Sequence, residues 1–189
     1  MRILGIDPGS VVCGYGVIEE ASGKLRMVES GVIRAKLYAE DFNERLKEIY
    51  VRLASVVKRT KPDVAAFESP FYSKNVQSLI KLSHARAVSV LAAAMADLPI
   101  YEYSAREVKK SVTGNGAAAK ESVQFMTIKI LGIEDEREAL YDASDALAVA
   151  ICHYMKGGQT TAPAPKSKSK KGNAADWSQF IKDNPERVK

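Results

Sequence analysis

The sequence predicts an α/β protein: a five-stranded mixed sheet flanked by helices, followed by a basic low-complexity tail. Three observations carry that prediction. Short apolar runs bounded by turn residues are interleaved with segments of helical period. RILGID and VAAFE are apolar along most of their length, as strands covered on both faces are. Beyond about residue 157 the periodicity stops.

In chain order, RILGID, GYGVIEE and, across the turn at 21–24, LRMVESGVIR read as three strands of an antiparallel meander joined by glycine-containing turns. Over 38–61, Phe42, Leu46, Ile49, Leu53, Val56 and Val57 recur at the three-and-four spacing of an amphipathic helix, which Lys61-Pro62 ends. VAAFE, at 64–68, is a central strand. A helix over 76–96 packs through Leu79, Leu82, Ala85, Ala87, Val90 and Ala94; Pro99 closes it, and IYEYS is the fifth strand. Ser104 with Glu107 three residues on marks the start of a short helix in AREVKKSV. The stretch TGNG breaks the chain before a helix over about 118–131. A last helix begins near Tyr141 and runs through DASDALAVAICHYM.

A chain of 189 residues with 46% hydrophobic content supports one substantial core. The expected organisation is a domain over 1–156, a basic linker over 157–175 and a short segment over 176–189, where Trp177, Phe180 and Ile181 return at helical spacing. No early apolar stretch is long enough to span a membrane, and a cytoplasmic location is expected. Cys13 and Cys152 lack metal-ligand spacing and read as reduced packing residues. Of the net charge of +5, most lies in the tail: residues 157–189 hold seven Lys/Arg and three Asp/Glu. Such an excess suits either a nucleic-acid partner or a solvated tail, and charge alone does not choose.

Four acids stand apart because their neighbours are apolar or small: Asp7, Glu68, Asp142 and Asp145. Asp7 and Glu68 close two buried strands at their C-terminal ends, where open sheets with parallel strands place their sites. Asp142 and Asp145, three apart, share one helix face. Singly, each has a structural explanation: an Asx-turn before Pro8-Gly9, or a cap, or acids set against a helix dipole. Together they would repel, with no Lys or Arg in the adjacent sequence to neutralise them. Hard oxygen ligands in that number suit Mg²⁺ or Mn²⁺, and two such ions can serve phosphodiester cleavage.

With these positions assembled, the sequence resembles the RuvC family of Holliday junction resolvases, of the RNase H-like superfamily. The resemblance rests on GIDPGS followed by GYGVIE, ESPFYSKN, KLSHARAV, EYSAREVKKSVTGNGAAAK and DASDALAVAICH, five motifs in order over residues 1–156. It implies an RNase H-like fold and a homodimer with two active sites. It also implies Mg²⁺-dependent paired nicking of four-way junction DNA, and partners in the branch-migration proteins RuvA and RuvB. The family's catalytic and metal-binding tetrad falls on Asp7, Glu68, Asp142 and Asp145, its junction-centre aromatic on Phe71, and basic residues near the DNA on Lys109 and Lys120. At Val11-Val12-Cys13 the chain departs from the family, where a basic residue and then threonine are commoner.

The residues themselves add Tyr72, which with Phe71 offers a ring for base stacking or a loop aromatic tucked onto the core. Lys74, Lys81 and Arg86, at helix-compatible spacings, are candidate phosphate contacts or simply a solvated face. Gly114-Asn115-Gly116 is either a phosphate-facing turn or a plain one. His84 and His153 are left out of the metal shell, the latter because eight residues of helix separate it from Asp145 by about 12 Å. The helix over 76–96, with Leu79, Leu82 and the small residues of AAAMA, offers an apolar surface that either serves dimerisation or only covers the sheet. An actin-like ATPase shares the strand-Asp-x-Gly-Ser opening but needs a second similar half. A junction-binding protein without catalysis would have no use for four acids.

Overall fold

A computed structural model describes residues 1–69, 75–133 and 138–157, the side chains of 138–142 excepted. Its elements run β1 (Arg2–Asp7), β2 (Cys13–Ala21), β3 (Lys24–Ile33), a 3₁₀ turn (Ala35–Leu37), α1 (Phe42–Thr60), β4 (Val64–Glu68), α2 (Val76–Ala94), β5 (Ile100–Tyr103), α3 (Ala105–Thr113), α4 (Lys120–Leu131) and α5 (Glu138–Met155). The five strands form one sheet in the order β3-β2-β1-β4-β5. The meander β1-β2-β3 is antiparallel, while β4 and β5 add in parallel beside β1. This is the predicted five-stranded mixed sheet.

Alternation along the strands assigns each side chain to one of two cores. Ile3, Val64 and Ala66 face α3, α4 and α5; Leu4, Ile6, Ala65 and Phe67 face α1 and α2. Continuing the count by two puts Asp7 and Glu68 on the α5 side, one step past the last packed residue of each strand.

The helix α5 is apolar on every side from Ala146 to Cys152: Ala146, Leu147, Ala148, Val149, Ala150, Ile151 and Cys152 are all fully buried, as is Ala143 one turn earlier. It lies directly on the sheet because Gly5 and Gly16 are cross-strand partners. A β-carbon on Gly5 would sit 2.0 Å from the Ala146 carbonyl oxygen and 2.8 Å from the Ala150 nitrogen; one on Gly16 would sit 2.6 Å from Leu147 Cδ2. The pair forms a trough that seats the helix backbone, a closeness no other residue type allows.

Element boundaries shift where capping decides them. The first helix starts at Phe42, not at 38, because the Asp41 carboxylate accepts hydrogen bonds from the Asn43 and Glu44 backbone N–H groups at 2.7 and 3.1 Å. Ser104 and Glu107 form the expected reciprocal capping box. The last helix begins three residues before Tyr141, and α2 ends at Ala94. Both cysteines are buried and free. The segments 157–175 and 176–189 lie, but for Gly157, outside the described residues. Among the described residues, no helix is long and apolar enough to cross a membrane.

The trough makes a graded prediction. Gly5→Ala meets backbone atoms that cannot step aside, and it should lower the unfolding free energy by about 3 kcal/mol or more, at the upper end of overpacking. Gly16→Ala meets mainly the movable Leu147 side chain and should cost less. Urea denaturation of both variants checks the order, and equal losses would contradict it.

Candidate active site

The C-terminal ends of the parallel pair β1 and β4 build the floor of the site. The ladder pairs Ile6 with Phe67, and one further step sets Asp7 beside Glu68. Behind Asp7 the chain turns sharply at Pro8-Gly9, where a β-carbon on Gly9 would lie 2.0 Å from the Val12 carbonyl oxygen. That close approach folds the loop back on itself just behind the strand end. Asp145 comes from the other direction, one residue before Ala146, whose carbonyl rests on Gly5. Asp142 lies three residues earlier on α5; its side chain is outside the described residues.

The electrostatics agree with this convergence. Burial, then repulsion from Asp145, pushes the Asp7 carboxyl up to about 6, with Lys120 pulling against the rise. Burial, then repulsion from Asp7 and Asp145, raises Glu68 to about 7, with Lys109 and Lys120 opposing. Three acids therefore feel one another at a strand end. Hard carboxylate oxygens held under mutual repulsion fit a divalent cation of the Mg²⁺ type. Among the described residues, no three His, Cys, Asp or Glu side chains are gathered tightly enough to form a complete metal shell as they stand.

The absence of local cations in the sequence is offset by the tertiary fold. Lys120, the first residue of α4, places Nζ 2.8 Å from Asp145 Oδ2. Lys109 on α3 donates from Nζ to the Ala118 carbonyl at 2.9 Å, bracing the connection that leads into α4. Neither contact is visible in sequence, since Lys120 and Asp145 are 25 positions apart.

The remaining candidates disperse. Phe71, Tyr72 and Lys74 lie outside the described residues. Lys81 is exposed on α2. Arg86 is mostly buried: Nη2 lies 2.7 Å from Glu102 Oε1 in an ion pair off the line of a hydrogen bond, and its guanidinium sits 6.0 Å from the Phe67 ring centre. The solvated-face reading of Arg86 therefore does not describe it. His153 is buried in the core, its Nδ1 hydrogen-bonded with the Tyr103 hydroxyl at 2.8 Å, and burial pushes its pKa down. Within Gly114-Asn115-Gly116, Asn115 Oδ1 accepts from the Ala117 N–H at 3.0 Å, which makes it a self-satisfied turn. One feature passed over in the sequence is Phe125, 59% exposed on α4 beside a groove of about 690 Å³ that Asn115, Ala118, Glu121 and Met126 also line. Its signal is an aromatic on an otherwise polar helix face.

The family model for the crossover junction endodeoxyribonuclease RuvC matches residues 3–153. The crossover junction endodeoxyribonuclease RuvC of Chloroherpeton thalassium is 43% identical over 188 residues, covering 100% of this chain and 99% of that protein. The enzyme of the same name from Geotalea uraniireducens is 47% identical over 153 residues, covering 81% of this chain and 88% of that protein. Among solved structures, Thermus thermophilus RuvC in complex with Holliday junction substrate superposes with a TM-score of 0.73 at 28% identity, covering 84% of this chain and 96% of that one.

The raised carboxyls fix how stability depends on pH. With Asp7 moved from 3.8 to about 6 and Glu68 from 4.5 to about 7, the folded chain binds more protons than the unfolded chain across that window. Stability therefore falls as pH rises from about 4 to about 7, by about 3 kcal/mol for Asp7 alone. Melting the metal-free chain at pH 5 and pH 7.5 should give the higher Tm at pH 5, and Asp7→Asn should shrink the difference. An unchanged difference in the variant would contradict the placement of Asp7.

Proposed function

The chain belongs to the RuvC family of crossover junction endodeoxyribonucleases, and we propose that it is a structure-specific endonuclease that resolves Holliday junctions by paired, symmetric nicking. The observation that carries the reading is the meeting of Asp7 and Glu68, at adjacent parallel strand ends, with Asp145 from α5 in one mutually repelling group.

In this reading Asp7, Glu68, Asp142 and Asp145 hold two divalent cations, Mg²⁺ with Mn²⁺ as a substitute. Cations held there would neutralise charge at the scissile phosphodiester and ease ionisation of the attacking water. The protein's own part is positional. The sheet ladder fixes Asp7 relative to Glu68, and the glycine trough fixes Asp145 relative to both. Phe71 and Tyr72 stack on unpaired bases at the junction centre, each stack adding about 1–3 kcal/mol. Lys74, Lys81 and Lys120 draw in phosphates, and Lys109 and Arg86 join them only by leaving the Ala118 carbonyl and Glu102.

Symmetric cuts on two strands require two copies of the site, and α2 supplies a surface for a homodimer. Its exposed large apolar residues are Val76, Ile80 and Leu91, continued by Met95 at the C-cap, from 49 to 69% exposed and spaced to form one stripe. This stripe differs from the Leu79 and Leu82 surface expected from periodicity, since both of those are only partly exposed. Association with RuvA and RuvB, and cytoplasmic residence, follow from the family resemblance.

Two experiments test the proposal. On a synthetic four-way junction with Mg²⁺, Asp7→Asn should keep junction binding while nicking falls by about a hundredfold or more, equivalent to about 3 kcal/mol of transition-state stabilisation. Normal nicking by the variant would sink the assignment. In analytical ultracentrifugation, the parent should sediment as a dimer and Ile80→Asp/Leu91→Asp as a folded monomer; a variant that stays dimeric would move the interface elsewhere.

A further inference from the structure

We infer that Lys120 is the resident counter-ion of the acid cluster, a cation built into the chain that a divalent metal must displace from Asp145. The inference rests on the reading of the acids as a metal site.

Helix physics alone argues against a lysine at this position. Lys120 is the first residue of α4, where the positive end of the helix dipole disfavours a cation. The residue before it, Ala119, offers no side-chain cap, and Glu121 alone among the first-turn residues sets a negative charge against the dipole. What favours Lys120 there is the acid cluster: its Nζ lies 2.8 Å from Asp145 Oδ2, and its charge is felt by Asp7 and Glu68 as well. The ion pair therefore serves the site rather than the helix that carries it.

Two further observations separate a displaceable ion from a fixed strut. The Lys120 side chain is 61% exposed while Asp145 is 27% exposed, so the amine reaches the acid from the solvent side and has water to return to. The backbone that carries it is held from behind by Lys109, whose Nζ is committed to the Ala118 carbonyl two residues upstream. One lysine is thus tied down to position the connection, and the second projects from it into the acids. A metal entering at Asp145 meets the ammonium first, and exchange leaves Lys120 poised at the rim of the site, where a DNA phosphate would arrive.

The consequence is competition. Removing the ammonium while keeping a side chain of similar length should tighten metal binding, whereas removal of a structural ion pair would loosen it. The full chain, Lys120→Met and Lys120→Arg would be titrated with Mn²⁺ by calorimetry in the absence of DNA, with circular dichroism to establish that each is folded. Lys120→Met should bind Mn²⁺ about tenfold more tightly than the parent, a gain of about 1.4 kcal/mol. Lys120→Arg should keep the parent affinity. A Met variant that is folded and binds with equal or lower affinity overturns the inference. If the parent takes up no Mn²⁺ at all, the metal reading falls with it. Mn²⁺ uptake without junction nicking would overturn the nuclease proposal alone and leave the role of Lys120 standing.

Discussion

The contact on which the rest of the molecule depends is that between the α5 backbone and the glycine pair Gly5 and Gly16. Opposite each other in the antiparallel ladder, the two residues leave a trough one helix can enter, and Ala146 and Ala150 fill it at backbone distance. The depth of that seat places Asp145 near the ends of β1 and β4. It also explains the composition of α5: from Ala146 to Cys152 a helix pressed on a sheet and covered by α3 and α4 is apolar throughout, and its polar residues flank that stretch. The apolar stretch of α5 and the approach of Asp145 to the strand ends thus have one steric origin.

Much of this was legible in the sequence because burial and charge conflict there visibly. An acid after ILGI or VAAF has no reason to be ionised in a core, and both strand ends were found by that conflict. The strands followed from their apolar runs, and the Ser104 capping box from its three-residue spacing. What the sequence hid was tertiary. The Lys120 ion pair with Asp145 joins two helices, and nothing in TGNGAAAKES points toward DASDA. Arg86 looks solvated by its spacing, yet α2 turns it toward β5 and Glu102. The start of α1 was missed by four residues because an apolar pattern does not reveal which polar residue caps it; Asp41 does.

The two cores have different duties. The face covered by α1 and α2 buries Phe67, Ile49 and Leu53 together with the alanines Ala85, Ala92 and Ala93 of α2, and bears no acid of the cluster. The face covered by α5 mixes alanines and glycines with Leu147 and Ile151 and ends in the site. Both layers bury apolar surface, and the α5 layer alone adds the backbone approach that Gly5 and Gly16 permit.

The parallel pairing of β1 with β4 has a consequence for how such a protein can change over time. The lateral separation of Asp7 and Glu68 is set by peptide hydrogen bonding between neighbouring strands, about 4.8 Å per step, rather than by the packing of any side chain. Hydrophobic residues on the α1 and α2 side can therefore drift in size and shape without altering the ruler that spaces the two carboxylates. A one-residue insertion or deletion within either strand, by contrast, would turn its acid to the opposite face. Substitution is tolerated where length is not, so related chains can diverge widely in sequence while the interval between these two acids stays constant.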